Sequence, residues 1–309
     1  MPYPIEEKLV IAVSSSALFA LDEADNIFRT QGVKAYREYQ REHENDIFSP
    51  GIAFPFICRF LKLNEIFPEQ TPVEVVLLSR NDSSSGMRIF NSIEHYGLGI
   101  CRAAFTRGNS PFRYIPAYNV SLFLSANQSD VSEAIAKGFP AGLVLPSCTE
   151  DDGNNEELRI SFDFDGVIAD DSSEKIFQQG GLAAFRENEV IHANSAISPG
   201  PLGELFRKLG SLRKLEDELE EQNTAYQRFL KTSIITARSA PAHRRVINTL
   251  REWNISVDEI HFLGGMDKGR VMETLKPHIF FDDQKTPHLE AVSKFAPAVH
   301  IPLGIMAGE

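Results

Sequence analysis

Ile160-Ser-Phe-Asp163-Phe-Asp165-Gly-Val-Ile-Ala169 is the stretch on which the fold turns. A short apolar run ends in two carboxylates one residue apart, and a glycine then turns the chain away. A parallel sheet delivers acids to its carboxyl edge in this way, and ligands of open α/β sheets bind at that edge. Side chains alternate along a strand, so Asp163 and Asp165 can share one face while Phe164 packs behind. Taken alone, the stretch reads equally as a solvated acidic turn.

Outward from it, apolar runs recur at 9–13, 73–78, 120–124, 142–145, 158–162, 233–235, 260–263, 279–281 and 299–301. Helical patterns lie between them, as at 131–137 and 242–253. Alternating strands and helices predict an α/β fold of parallel sheet covered on both faces. The acidic, polar stretch 147–157 reads as a linker between halves 1–150 and 151–309.

Three later segments change the standing of the acid pair. Ser233-Ile-Ile-Thr236-Ala237-Arg238 is an apolar run ending in a hydroxyl. Gly264-Gly-Met-Asp-Lys268-Gly269 frames a lysine with glycines, and His278-Ile-Phe-Phe-Asp282-Asp283-Gln284 ends a run in two more acids. Each is common by itself. In this order they resemble the haloacid dehalogenase superfamily of phosphotransferases. That resemblance implies a Rossmann-like half with a small inserted cap, here about 171–231.

It also implies roles. Asp163 would be the nucleophile, forming an aspartyl-phosphate. Asp165 would protonate the leaving oxygen and then deprotonate water. Asp163, Asp165 through its backbone carbonyl, and Asp282 with or without Asp283 would hold Mg²⁺, a hard cation suited to oxygen ligands. Thr236 would donate to the phosphoryl group, and Lys268 would balance the carboxylates and bind the phosphoryl oxygens.

The chain also repeats itself. At a shift of 149, Ser14 and Ser16 fall on Asp163 and Asp165, and Phe28, Gly32 and Arg37 fall on Phe177, Gly181 and Arg186. His43, Asn45 and Ser49-Pro-Gly51 fall on His192, Asn194 and Ser198-Pro-Gly200. At a shift of 157, Ser79 falls on Thr236, Pro111 on Lys268, and Ser125-Ala126 on Asp282-Asp283. Extra length around 213–222 accounts for the difference. An internal duplication is expected, with two Rossmann-like halves and the first catalytically silent. The acids of 212–230 read as the solvated face of a helix.

The likeness narrows with Thr236-Ala-Arg-Ser-Ala240, Pro277-His-Ile-Phe-Phe-Asp-Asp-Gln284, Ala12-Val-Ser-Ser-Ser-Ala-Leu-Phe19, Phe48-Ser-Pro-Gly51 and Gly108-Asn-Ser-Pro111. Together they resemble the cytosolic 5′-nucleotidase type I family over nearly the whole chain. The resemblance implies Mg²⁺-dependent hydrolysis of nucleoside 5′-monophosphates, typically AMP or deoxynucleotides. One departure is local: the family's first motif reads Asp-Gly-Asp-Ala-Val, where this chain has Asp163-Phe-Asp165-Gly-Val. Ala237, Arg238, His192 and Asn194 are candidate substrate contacts, though turn and capping roles suit the last two equally. The alternatives are a phosphatase of another small phosphate ester and a nucleotide-binding regulatory protein.

The bulk numbers are consistent with these readings. A net charge of −12 disfavours a nucleic-acid polymer as partner. No apolar run reaches membrane-spanning length and no secretory signal is visible, so a cytoplasmic protein is expected. A homo-oligomer is compatible with the sequence. Cys58, Cys101 and Cys148 are scattered and read as reduced thiols.

Overall fold

The computed structural model describes residues 3–302 apart from Ser84, Cys148 and Asn155. It divides into two compact units, Met1–Val144 and Leu145–Glu309. They part just ahead of the acidic stretch. Cys58 and Cys101 are outside any disulfide, and Cys148 lies outside the described residues.

In chain order, the first unit runs β1 (Leu9–Val13), α1 (Ser15–Leu18), α2 (Asp22–Glu42), α3 (Phe54–Ile66), β2 (Val73–Ser79) and α4 (Gly86–His95). It continues with β3 (Arg102–Phe105), β4 (Val120–Ser125), α5 (Gln128–Ala136) and β5 (Ala141–Val144). Its strands lie in the order β3-β2-β1-β4-β5, all paired in parallel. Every residue of β1 and β2 is buried, as strands covered on both faces require. That is why β1 reads as a continuous apolar run and β2 nearly so, broken by the buried Glu74, which pairs with Arg102. β3 was missed because Arg102-Ala-Ala-Phe105 is short and only half-buried, and it pairs with β2 alone in this order.

The second unit runs β6 (Leu158–Phe162), α6 (Ser172–Ile191), α7 (Gly203–Gln222), β7 (Leu230–Thr236), α8 (His243–Glu252) and β8 (Glu259–Phe262). α9 (Gly269–Leu275), β9 (Ile279–Asp282), α10 (Glu290–Val292) and β10 (Ala298–His300) complete it. Its five strands lie in the order β8-β7-β6-β9-β10, again all parallel. Phe162 anchors the core, stacked on Phe281 at 5.1 Å and edge-on to Phe206 at 5.2 Å. Aromatic pairs at these separations contribute beyond their buried area.

Helices α2 and α6 are each broken once. Gly32 has φ 83° and ψ −177°, and Gly181 has φ 69° and ψ −169°. Only glycine adopts this region freely, so these two residues set where each helix bends.

The stretch 212–230 departs from its reading as a solvated helix. Helix α7 ends at Gln222, and Glu216 is fully buried. Its carboxylate accepts from Tyr226 Oη at 2.7 Å, Phe229 N at 2.6 Å and Leu230 N at 3.1 Å. These amides open β7 and would otherwise be orphaned, so the acid is drawn inward. Burial raises the Glu216 pKa despite those donors. Among the described residues, no helix is long and apolar enough to cross a membrane.

Candidate active site

β6 pairs in parallel with β7 on one side and β9 on the other. Their carboxyl ends therefore carry Asp163, Thr236 and Asp282 to one edge. Lys268 arrives from the turn that opens α9 and is 2% exposed. Its Nζ lies 2.6 Å from Asp282 Oδ2 and 3.1 Å from Asp163 Oδ2. Asp282 Oδ1 accepts from Gln284 N at 2.8 Å, which steadies the strand end. Thr236 is buried, and its Oγ1 accepts from Arg238 N at 3.2 Å.

Gly166 lets Asp283 join this group. It has φ +72°, and a Cβ there would sit 2.2 Å from Asp283 Oδ2. Asp163, Asp282 and Asp283 are all buried beside a single buried lysine. Among the described residues, Oδ1 of Asp163 and Oδ1 of Asp283 have no hydrogen-bond partner. Burial pushes the Asp163 carboxyl up to about 7; Lys268 opposes the rise, and Asp282 and Asp165 add to it. Burial, with Asp163 and Asp282 alongside, pushes Asp283 up to about 9. Burial would also raise Asp282, but Lys268 and His288 hold it below the usual carboxylate range.

His288 was not singled out from the sequence. Its Nδ1 lies 3.4 Å from Asp282, and ligand atoms of Asp163, Asp282 and His288 all lie within 4.8 Å of one another. It sits on the irregular turn after β9, six residues beyond Asp282, and no local pattern marks it.

Asp165 is set apart from this group by Arg238. The guanidinium grips it with Nε to Oδ2 at 2.6 Å and Nη2 to Oδ1 at 2.7 Å. Arg238 Nη1 also pairs with the fully buried Glu189, which Arg245 holds from the other side at 2.9 Å. Burial opposes charge on Glu189, yet Arg238 and Arg245 hold its pKa low. Glu189, in the last turn of α6, and Arg245, in the first turn of α8, were also missed, because nothing local distinguishes them.

Beside Asp165 and Arg238 opens a cavity of about 390 Å³. Ala237 and Arg238 line it, as do Phe177, Phe185 and Arg186 from the broken helix α6. The Phe177 and Phe185 rings meet edge-on at 6.4 Å across the Gly181 bend. His192 and Asn194 do not line it. His192 Nδ1 lies 3.0 Å from Asn188 O, and Asn194 Oδ1 accepts from Asn248 Nδ2 at 3.4 Å. His192 thus bonds within the end of its own helix, and Asn194 joins that end to α8.

A family model described as 5′-nucleotidase matches residues 1–308. The chain belongs to the 5′-nucleotidase family. This 5′-nucleotidase family member is 34% identical over 301 residues to cytosolic 5′-nucleotidase 1B of Homo sapiens. The match covers 95% of the chain and 49% of the human protein, so the chain spans about half that relative's length. No solved structure matches it.

Proposed function

We propose that this 5′-nucleotidase family member hydrolyses nucleoside 5′-monophosphates, AMP or deoxynucleotides among them, to nucleoside and phosphate with Mg²⁺, in the cytoplasm. The observation that carries the reading is the buried Asp163–Lys268–Asp282 group, with Oδ1 of Asp163 and of adjoining Asp283 unpartnered, next to Asp165 and His288, which line an open cavity. Family membership and the human relative's name support the substrate class.

The residues fit a divalent cation. Three buried aspartates face one buried lysine, two carboxylate oxygens lack partners, and two carboxyl pKa values are raised by burial and crowding. Asp163, Asp282 and Asp283, with the carbonyl of Asp165, would hold it. When bound, Mg²⁺ neutralises the phosphate dianion against these carboxylates and stabilises charge developing during transfer.

Asp163 has one oxygen facing Lys268 and the other unpartnered, so it can attack phosphorus. The ester oxygen leaves with a proton from Asp165, and an aspartyl-phosphate remains on Asp163. Asp165 then takes a proton from the water that attacks phosphorus, and phosphate departs. Lys268 and Thr236 bind phosphoryl oxygens. Phe177, Phe185 and Arg186 offer an aromatic and cationic wall for the leaving nucleoside. That wall favours a nucleotide over a small sugar phosphate.

The two units are read as copies of one ancestor, the first catalytically silent, with the segment about 171–231 acting as a cap. Paired hydrogen bonds support this. Asn91 Nδ2 donates to Glu44 O at 2.9 Å, and Asn248 Nδ2 to Ala193 O at 2.8 Å. Arg88 Nε donates to Asp46 O at 2.8 Å, and Arg245 Nε to Ser195 O at 3.1 Å. Phe48 N donates to Ser92 Oγ, and Ile197 N to Thr249 Oγ1, both at 3.1 Å. In each pair one partner follows the 149 shift and the other the 157 shift. The 20-residue α7 against the 13-residue α3 supplies the added length.

A phosphate-release panel of nucleoside 5′- and 3′-monophosphates and sugar phosphates, with Mg²⁺ and with excess chelator, tests the reading. Release confined to 5′-monophosphates and abolished by chelator is expected. Full activity in chelator overturns the metal assignment, and equal turnover of sugar phosphates overturns the substrate class.

A further inference from the structure

We infer that the first unit carries its own nucleoside-phosphate site, which binds its ligand without hydrolysing it. The inference rests on the duplication reading above and concerns a cavity that the proposed reaction does not use. This cavity, of about 420 Å³, opens at the carboxyl ends of β1 and β2. Its volume suits a small organic ligand.

Its aromatic wall matches that of the catalytic unit. Phe28 and Tyr36 stand across the Gly32 bend with rings edge-on at 5.8 Å, where the second unit has Phe177 and Phe185 across Gly181 at 6.4 Å. Phe28 is 49% exposed, and Phe177 is 42% exposed. Tyr36 is braced by a 3.1 Å hydrogen bond from its Oη to Asn81 Oδ1. A core role does not account for an exposed ring on a cavity wall, whereas a flat heteroaromatic ring stacks on such a face. Arg37 and Arg186 occupy matching places, one on each wall.

What changes is the charge at the cavity floor. Asp163 and Asp165 become Ser14 and Ser16, whose hydroxyls lie 3.2 Å apart. Ala237 and Gly264 become Arg80 and Arg107 at the 157 shift. Arg29, Arg37, Arg80 and Arg107 line the cavity with Asp25, Asp82 and Asp130. Arg80 pairs with Asp130 at 2.6 Å and Arg37 with Asp82 at 2.5 Å. Arg107 makes no side-chain hydrogen bond or ion pair among the described residues, and it is exposed. A phosphate can therefore bind guanidinium and hydroxyl groups directly. Among the described residues no group of metal-ligating side chains falls in this cavity, and Ser14 stands where the second unit has Asp163.

Equilibrium binding to the full chain tests this, using an AMP analogue with methylene in place of the ester oxygen. With Mg²⁺, two equivalents per chain are expected, and in excess chelator one. Phe28→Ala and Arg107→Glu, both at exposed side chains, should each weaken the chelator-resistant equivalent by roughly tenfold or more. A single equivalent, untouched by either substitution, overturns the inference. So does inorganic phosphate binding as tightly as the analogue, because the ring would then have no place. Absence of the chelator-sensitive equivalent alone would count against the proposed catalytic reading and leave this site standing.

Discussion

Arg238 holds both carboxylate oxygens of Asp165, at 2.6 and 2.7 Å, while itself 3% exposed and pinned to buried Glu189. A rigid fork thus orients Asp165, and in the proposed reaction one of its oxygens must leave that fork to deliver a proton. The Phe164 and Phe185 rings, each 5.4 Å from the guanidinium, wall it in.

Arg238→Lys keeps the charge and loses the fork. Misorientation of Asp165 should lower kcat on a nucleoside 5′-monophosphate by about 10- to 100-fold. An aryl phosphate, whose leaving oxygen needs little proton help, should lose much less. Steady-state kinetics on both substrates decide it. Equal losses would mean that Arg238 acts on the phosphoryl group and not through Asp165.

Asp163→Asn should lower turnover by several orders of magnitude, as loss of a nucleophile does elsewhere. Fold should survive, because the amide replaces a buried carboxylate with an unpartnered oxygen. Ser125→Ala, at the position matching Asp282 at the 157 shift, should leave kcat within about a few fold, since the proposed reaction uses no group of the first unit. Its Oγ accepts only from Asn127 N at 3.1 Å among the hydrogen bonds described. A large loss of turnover in the Ser125 variant would contradict a silent first unit.

Stability without metal should fall as pH rises. Asp163 and Asp283 have folded values raised to about 7 and about 9, above those of free carboxylates. Between about pH 4 and pH 9 these two carboxyls therefore hold more protons in the folded chain than in the unfolded chain, and their contribution to the slope of stability with pH is negative. Mg²⁺ needs the ionised carboxylates, so its stabilising effect should grow across the same range. Thermal melts at pH 5.5 and 8, with Mg²⁺ and with chelator, measure both trends. A Mg²⁺ shift in Tm that is equal at the two pH values would refute the cluster as the cation site.

Glu216→Ala should destabilise the chain by about 2–3 kcal/mol, since it strips acceptors from two buried amides and a tyrosine hydroxyl. Urea unfolding reads this directly. A change within about 0.5 kcal/mol, the range of an ordinary surface substitution, would contradict a structural role for the buried acid.

The sequence by itself determined the family, the parallel α/β class and most of the strands. Buried parallel strands are mostly apolar, and their ends are marked by the acids, hydroxyl and glycines that follow. Asp163, Thr236, Lys268, Asp282 and Asp283 were legible for that reason, because each sits at a strand end or a glycine-framed turn. Tertiary structure alone decided the rest. Glu189 and Arg245 lie in ordinary terminal turns of their helices and gain meaning only from Arg238. His288 reaches Asp282 from an irregular turn. Glu216 looks like its solvated neighbours until the amides of Phe229 and Leu230 draw it inside. His192 and Asn194 stand out in the sequence by repetition, yet His192 bonds back to Asn188 at its own helix end and Asn194 bonds to Asn248. Local pattern records which backbone a residue sits on. Which distant charge or orphaned amide it meets depends on contacts between elements far apart in the chain.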